Sequence, residues 1–246
     1  MAIHWIENVV FARAVNEKGL EEDLKLDLYL PPRDRSRLRP GVLLFHGGGF
    51  ALGNDKRQGY ILALARALAE RGYVCASFDY RIRANPAQDW PGTLRDAVRD
   101  ARAALDWARS NLGVYRADSE NLVLLGGSAG AVLINNLVHN PRQPVTTPAD
   151  GVRGIVNLWG SPPPQMRSFA TVNAACPPNL VVHGTADELV PYALSEQLVA
   201  ELHAAGVQAA LLSLPGAAHT AILQQPELVT GTIVGVLKQV TSRPKV

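Results

Sequence analysis

Residues 121–130 read Asn-Leu-Val-Leu-Leu-Gly-Gly-Ser-Ala-Gly, and residues 131–139 continue Ala-Val-Leu-Ile-Asn-Asn-Leu-Val-His. The apolar run Leu122–Leu125 predicts a short buried strand, and the small and apolar residues at 129–139 predict a helix. Between them, Gly126 and Gly130 flank Ser128 in a turn too tight for bulky neighbours. A strand, a sharp turn and a helix in this order can hold a serine hydroxyl exposed as a nucleophile. The five-residue string alone decides little, because a chain with 21 glycines would contain it by chance roughly once in fifteen such chains. The rest of the sequence must supply a base, an acid and oxyanion donors.

Outward from this turn, strand and helix patterns alternate. Residues 6–14 and 24–30 predict two early strands joined at Gly19 as an antiparallel hairpin. In the second, Leu24, Leu26, Leu28 and Leu30 alternate with Lys25, Asp27 and Tyr29, the period-two pattern of a half-buried strand. Val42–Phe45, Tyr73–Phe78, Gly154–Leu158, Leu180–Val182 and Val207–Leu214 predict further strands. Helices are expected at 56–71, Pro91–Ser110, 129–139, Pro191–Ala205 and 219–240. Leu94, Val98, Ala101, Leu105 and Ala108 form the inner stripe of the second helix. Such alternation predicts an α/β fold with a mostly parallel central sheet and helices on both faces. No linker divides the chain, so residues 1–246 are expected to form a single domain.

Right-handed crossovers place every loop that follows a parallel strand on one edge of the sheet, where ligands bind. Asp187 follows the strand Leu180–Val182, and His219 follows Val207–Leu214. The set Ser128, Asp187, His219 is therefore expected to converge. An imidazole can take the serine proton as the new bond forms, and a carboxylate holds that imidazole in the required tautomer. Glu188 is the adjacent rival acid. His183 is the rival base, but its place at a strand end suits a structural histidine. His46-Gly47-Gly48-Gly49-Phe50 follows the strand Val42–Phe45. The backbone N–H groups of Gly48, Gly49 and Ala129 are candidate oxyanion donors, and His46 is expected to orient the glycine loop.

With these residues in hand, the chain resembles the α/β-hydrolase superfamily from Leu24 to His219. It is most similar to carboxylesterases with His-Gly-Gly-Gly before the nucleophile, of the hormone-sensitive-lipase-like and compact feruloyl- or acetyl-esterase-like branches. The resemblance implies Ser128 as nucleophile, His219 as base and Asp187 as acid, with Gly48, Gly49 and Ala129 around the oxyanion. The string Gly72–Arg81 also resembles the family and is expected to support the site. Two positions depart from the common Gly-Asp-Ser-Ala-Gly-Gly form: Gly127 stands for the acidic residue and Ala131 for the last glycine. Only residues 161–178 separate two strands where lipases carry a lid, so a small or absent lid is expected. The expected reaction is hydrolysis of short- to medium-chain or aryl carboxylic esters through an acyl-enzyme. An amidase or aryl-formamidase with the same residues, and a non-catalytic ligand receptor on the same fold, are the alternatives. Phe50, Trp90 and Trp159, with loops 83–90 and 161–178, are candidate pocket walls.

Composition narrows the classes further. Lys and Arg number 24 against 22 Asp and Glu, a net charge of +2 that argues for neither nucleic acid nor an anionic membrane as partner. Arg33, Arg35, Arg37 and Arg39 cluster around Asp34 beside prolines, the composition of a solvated loop. No metal or cofactor is implied: His4, His139 and His203 lack ligand spacing, and no Gly-Lys-Ser/Thr follows Gly47–Gly49. No apolar run reaches the length of a membrane span, and no leader pattern is present. A cytoplasmic location is the expectation, with export of a processed form left open. Cys75 is expected to be a buried small hydrophobe, Cys176 precedes a Pro-Pro turn, and a disulfide between them is left open. The oligomeric state is not readable.

Overall fold

Eight strands join into one sheet in the computed structural model of the chain, which describes residues 3–32 and 38–242. In chain order they are β1 (His4–Val15), β2 (Glu21–Leu30), β3 (Arg39–Phe45), β4 (Val74–Phe78), β5 (Ala117–Gly127), β6 (Val152–Leu158), β7 (Asn179–Gly184) and β8 (Ala209–Leu214). Their spatial order is β1-β2-β4-β3-β5-β6-β7-β8. The first hairpin pairs antiparallel and β2 pairs antiparallel with β4, while the strands from β4 to β8 are parallel. The five helices are α1 (Gly59–Glu70), α2 (Trp90–Asn111), α3 (Ala129–Val138), α4 (Ala193–Ala204) and α5 (Pro226–Thr241).

The strand sequences explain the layers. In β3 and β5, successive apolar residues point to opposite faces. Leu43, Phe45, Leu122 and Leu124 pack into the core under α2, α3 and α4. Val42, Leu44, Val123 and Leu125 pack into the core under α1 and α5. A strand covered on both faces must be apolar throughout, as these are. Ile61, Leu64 and Leu68 carry the buried face of α1, each worth roughly 1.5–3 kcal/mol of burial.

Two expectations change. β2 is buried on both faces over Leu26–Tyr29 and not half-buried, because Leu26 and Leu28 pack into one core and Tyr29 into the other. Its Asp27 is 1% exposed and is held by the Arg57 guanidinium at 2.5 Å and the Asn8 N–H at 2.8 Å. A period-two pattern reports alternation of chemistry, and a paired carboxylate can satisfy the inner side of that alternation. The last helix begins at Pro226 and not at 219. Proline disfavours helical backbone in the residue before it, and Gln225 has φ −138°. His219 is thereby left on a loop, free of helical geometry.

Arg33, Asp34, Arg35 and Arg37 lie outside the described residues. Cys75 and Cys176 are both buried and free. Among the described residues, no helix is long and apolar enough to cross a membrane.

Candidate active site

The chain leaves β3 toward β4 on one side and reaches β5 on the other, so β3 and β5 are neighbours across the point where strand order reverses. A crevice opens beyond such strands. The glycine loop follows β3 and Ser128 follows β5, which places both at that crevice.

Ser128 has φ 53° and ψ −119°, a conformation that ordinarily costs a non-glycine residue about 1–3 kcal/mol. The flanking glycines make the turn possible by close approach. A β-carbon on Gly126 would sit 2.4 Å from the Gly130 carbonyl oxygen, and one on Gly130 would sit 2.1 Å from the Phe45 carbonyl oxygen. Gly127 has a separate cause. A β-carbon there would lie 2.3 Å from the Tyr60 hydroxyl, so the Tyr60 phenol fills the room that a larger residue 127 would need.

Around Ser128 the predicted set comes together. His219 Nε2 accepts from Ser128 Oγ at 2.9 Å, and His219 Nδ1 donates to Asp187 Oδ2 at 2.7 Å. The other carboxylate oxygen, Oδ1, accepts the N–H groups of Leu189 and Val190, each at 2.9 Å. Burial pushes the Asp187 carboxyl up, and the Val190 N–H, His219 and the Leu189 N–H more than offset it. The net position is below the ordinary carboxylate value. Asp187 thus stays ionised, which fixes the proton on His219 Nδ1 and leaves Nε2 to accept.

The glycine loop is oriented by its carbonyls. His46 Nδ1 donates to the Gly47 carbonyl at 2.8 Å. Asn54 Nδ2 and the Ala51 N–H donate to the Gly48 carbonyl at 3.3 and 3.1 Å. In a trans peptide the N–H points opposite to the carbonyl, so these bonds set the directions of the Gly48 and Gly49 N–H groups. The Gly47 N–H is bound to Gln58 Oε1 at 2.8 Å. His46 is buried, stacks on Tyr80 at 4.3 Å, and its carbonyl accepts the Tyr80 hydroxyl at 2.8 Å. Burial pushes its imidazole pKa down, which keeps it neutral. Tyr80 is how the segment Gly72–Arg81 braces the glycine loop, and its neighbour Asp79 binds Lys56 farther along at 2.8 Å.

A cavity of about 740 Å³ opens over Ser128 and is bordered by Gly48, Gly49, Ala129 and His219. Its walls are largely apolar: Trp90, Val132, Trp159, Met166, Leu189–Pro191, Ala193 and Leu194. Of the candidate walls, Trp90 and Trp159 line it. Phe50 does not border it: its ring packs behind Trp90, edge-on to Trp90 at 6.4 Å and to Tyr80 at 5.8 Å. At Phe50 φ is 62°, and this left-handed turn carries the ring into the core. Pro163–Met166 lines the cavity from the short stretch where a lid would sit.

Sequence reasoning missed three groups. Gln58 reads as an ordinary polar residue before a helix. The walls at 189–194 follow Asp187 on the same sheet edge, and that position was the available signal. The third group is a second serine–histidine pair on Asp187. His183 Nε2 lies 2.9 Å from Asp187 Oδ2, and His183 Nδ1 lies 2.6 Å from Ser195 Oγ. Both residues are fully buried and neither lines the cavity.

A family model described as BD-FAE matches residues 26–140, and one described as the prolyl oligopeptidase family matches residues 161–229. A probable isoprenylcysteine alpha-carbonyl methylesterase of Oryza sativa subsp. japonica is 28% identical over 83% of this chain and 57% of its own length. Esterase LipC of Mycobacterium tuberculosis is 27% identical over 73% of this chain and 52% of its own length. The chain spans about half the length of the curated relatives it matches. The apo structure of Thermogutta terrifontis esterase 2 superposes with a TM-score of 0.73 at 24% identity, covering 97% of this chain and 96% of that one. The fold is that of the α/β-hydrolases.

Proposed function

We propose that this chain hydrolyses carboxylic esters through an acyl-enzyme on Ser128. The observation that carries the reading is the hydrogen-bonded line from Ser128 through His219 to Asp187, built on a strained turn beside a glycine loop and under an apolar cavity. The esterase names of the relatives support it.

Ser128 Oγ attacks the ester carbonyl while His219 Nε2 takes its proton. The carbonyl oxygen becomes an oxyanion and meets the N–H groups of Gly48, Gly49 and Ala129. Ala129 opens a helix and has no intrahelical acceptor for its N–H. Each such donor is worth about 2.7–4 kcal/mol to the transition state. Collapse breaks the ester C–O bond, and His219 returns the proton to the leaving alcohol. Water then attacks the acyl-serine with the same histidine as base, and the acid leaves. Asp187 stabilises the imidazolium in both halves without taking the proton.

The apolar walls suit a short- to medium-chain acyl group or an aryl ester over a highly charged substrate. The match of residues 161–229 to the prolyl oligopeptidase family favours a second reading, amide cleavage by the same residues. A p-nitrophenyl ester series of increasing chain length, a feruloyl ester, an acetylated sugar and a matched ester–amide pair would rank the substrates. A fluorophosphonate probe is expected to label Ser128. Unchanged ester hydrolysis in Ser128→Ala would end this reading.

A further inference from the structure

Asp187 has four lone-pair directions, and four donors meet them: two backbone N–H groups at Oδ1, and His183 and His219 at Oδ2. Only His219 serves the reaction above. His183 Nε2 faces Asp187 Oδ2 at 2.9 Å and the Val190 carbonyl at 3.0 Å, both acceptors, so this nitrogen carries the proton. Burial pushes the His183 pKa down, more than Asp187 pulls it up, and the ring is neutral. In a neutral ring Nδ1 must then accept, and it accepts the Ser195 hydroxyl at 2.6 Å. Ser195 Oγ in turn lies 2.7 Å from Ser161 Oγ, which donates to it. The bonds therefore run in one direction, from Ser161 through Ser195 and His183 to Asp187. Asp187 and His219 are the titratable groups that act on His183, and the Tyr192 ring stands edge-on at 5.8 Å.

We propose that His183, locked by Ser195 and Ser161, is a positioning residue for the acyl-transfer site, holding Asp187 so that its carboxylate faces His219. The proposal rests on the assignment of Ser128 and His219 above. His219 sits on a loop, so it cannot fix the carboxylate that is meant to orient it. His183 can, because it lies within strand β7, one residue before its end, and is packed on every side. Its neutral N–H also fills a lone pair that would otherwise be buried and bare, a loss that is costly for a charged group.

Because His183 and Ser195 do not border the cavity, their loss should lower kcat and spare KM. The test uses purified His183→Leu, His183→Gln and Ser195→Ala, assayed with p-nitrophenyl butyrate from pH 5 to 9 beside thermal unfolding. His183→Leu is expected to lower kcat by at least about tenfold, with KM within about twofold. The acid limb of kcat/KM should move to higher pH, since a carboxylate with one donor fewer presents more negative charge to His219. His183→Gln, whose amide N–H can replace the lost donor, should recover much of the rate. Ser195→Ala leaves Nδ1 without its donor and the ring less firmly held, and should cost about two- to fivefold in kcat. A folded His183→Leu protein with wild-type kcat and pH profile overturns the proposal, as does equal impairment of the Leu and Gln variants. If His183→Leu fails to fold, a wild-type kcat in Ser195→Ala overturns it. Retained activity in a Ser128→Ala control would instead overturn the acyl-transfer reading itself.

Discussion

Asp187 stands between two serine–histidine pairs whose distances barely differ. On the Ser128 side they are 2.9 and 2.7 Å, and on the Ser195 side 2.6 and 2.9 Å. Backbone and access separate them. Ser128 occupies a left-handed turn outside the helix and opens onto the cavity. Ser195 lies inside α4, fully buried, with a second hydroxyl against it. A hydrogen-bonded triad is thus insufficient to identify a nucleophile: the serine must also reach a carbonyl and have oxyanion donors at hand.

The strongest way to break this comparison is to remove each serine in turn. Ser128→Ala should lower kcat/KM for p-nitrophenyl butyrate by about 10³-fold or more, and Ser195→Ala by less than about tenfold. The reverse order would reassign the nucleophile. A smaller effect sharpens what makes the Ser128 turn distinct. Gly127→Ala should lower both melting temperature and kcat, because its β-carbon would fall against the Tyr60 hydroxyl. Shortening Tyr60 to Leu in the same chain should restore part of the loss, a coupling of about 1 kcal/mol in a double-mutant cycle. Strict additivity would show that residue 127 does not depend on Tyr60.

The smallest effect concerns protons on the buried pair. The unfolded chain protonates its histidines near pH 6.5, whereas burial holds His183 below that value in the fold. The unfolded state therefore binds more protons as pH falls below about 6.5, and stability falls with it until the folded value is passed. His183→Gln should flatten that fall between about pH 7.5 and 5. Urea midpoints at several pH values measure it, and parallel curves for the two proteins would contradict a neutral His183.

Much of this was legible in the chain. Strand runs and helix stripes lie where they do because burial on one or both faces dictates their periods. Gly126, Ser128 and Gly130 signalled the turn, and the loops after β7 and β8 were recognisable carriers of Asp187 and His219. Other features had no local signature. Gly127 read as a departure until Tyr60, far along the chain, was seen in its place. Phe50 looked like a wall because it follows the glycine loop, and a left-handed backbone sent it inward. Helical periodicity ran through 219–225, and only the backbone before Pro226 ended it.

The sequence by itself determined the fold class, the chain order of Ser128, Asp187 and His219, and the turn that presents Ser128. These depend on local backbone preference and on apolar periodicity, which are written within a few neighbouring residues. Only the tertiary structure decided which serine pairs with which histidine on Asp187, across separations of 91 residues in one pair and 12 in the other. It also decided what fills the space beside Gly127 and which side chains wall the cavity. Those outcomes depend on strand order and on packing between elements distant in the chain, where contact is set by the assembled core and not by neighbours in sequence.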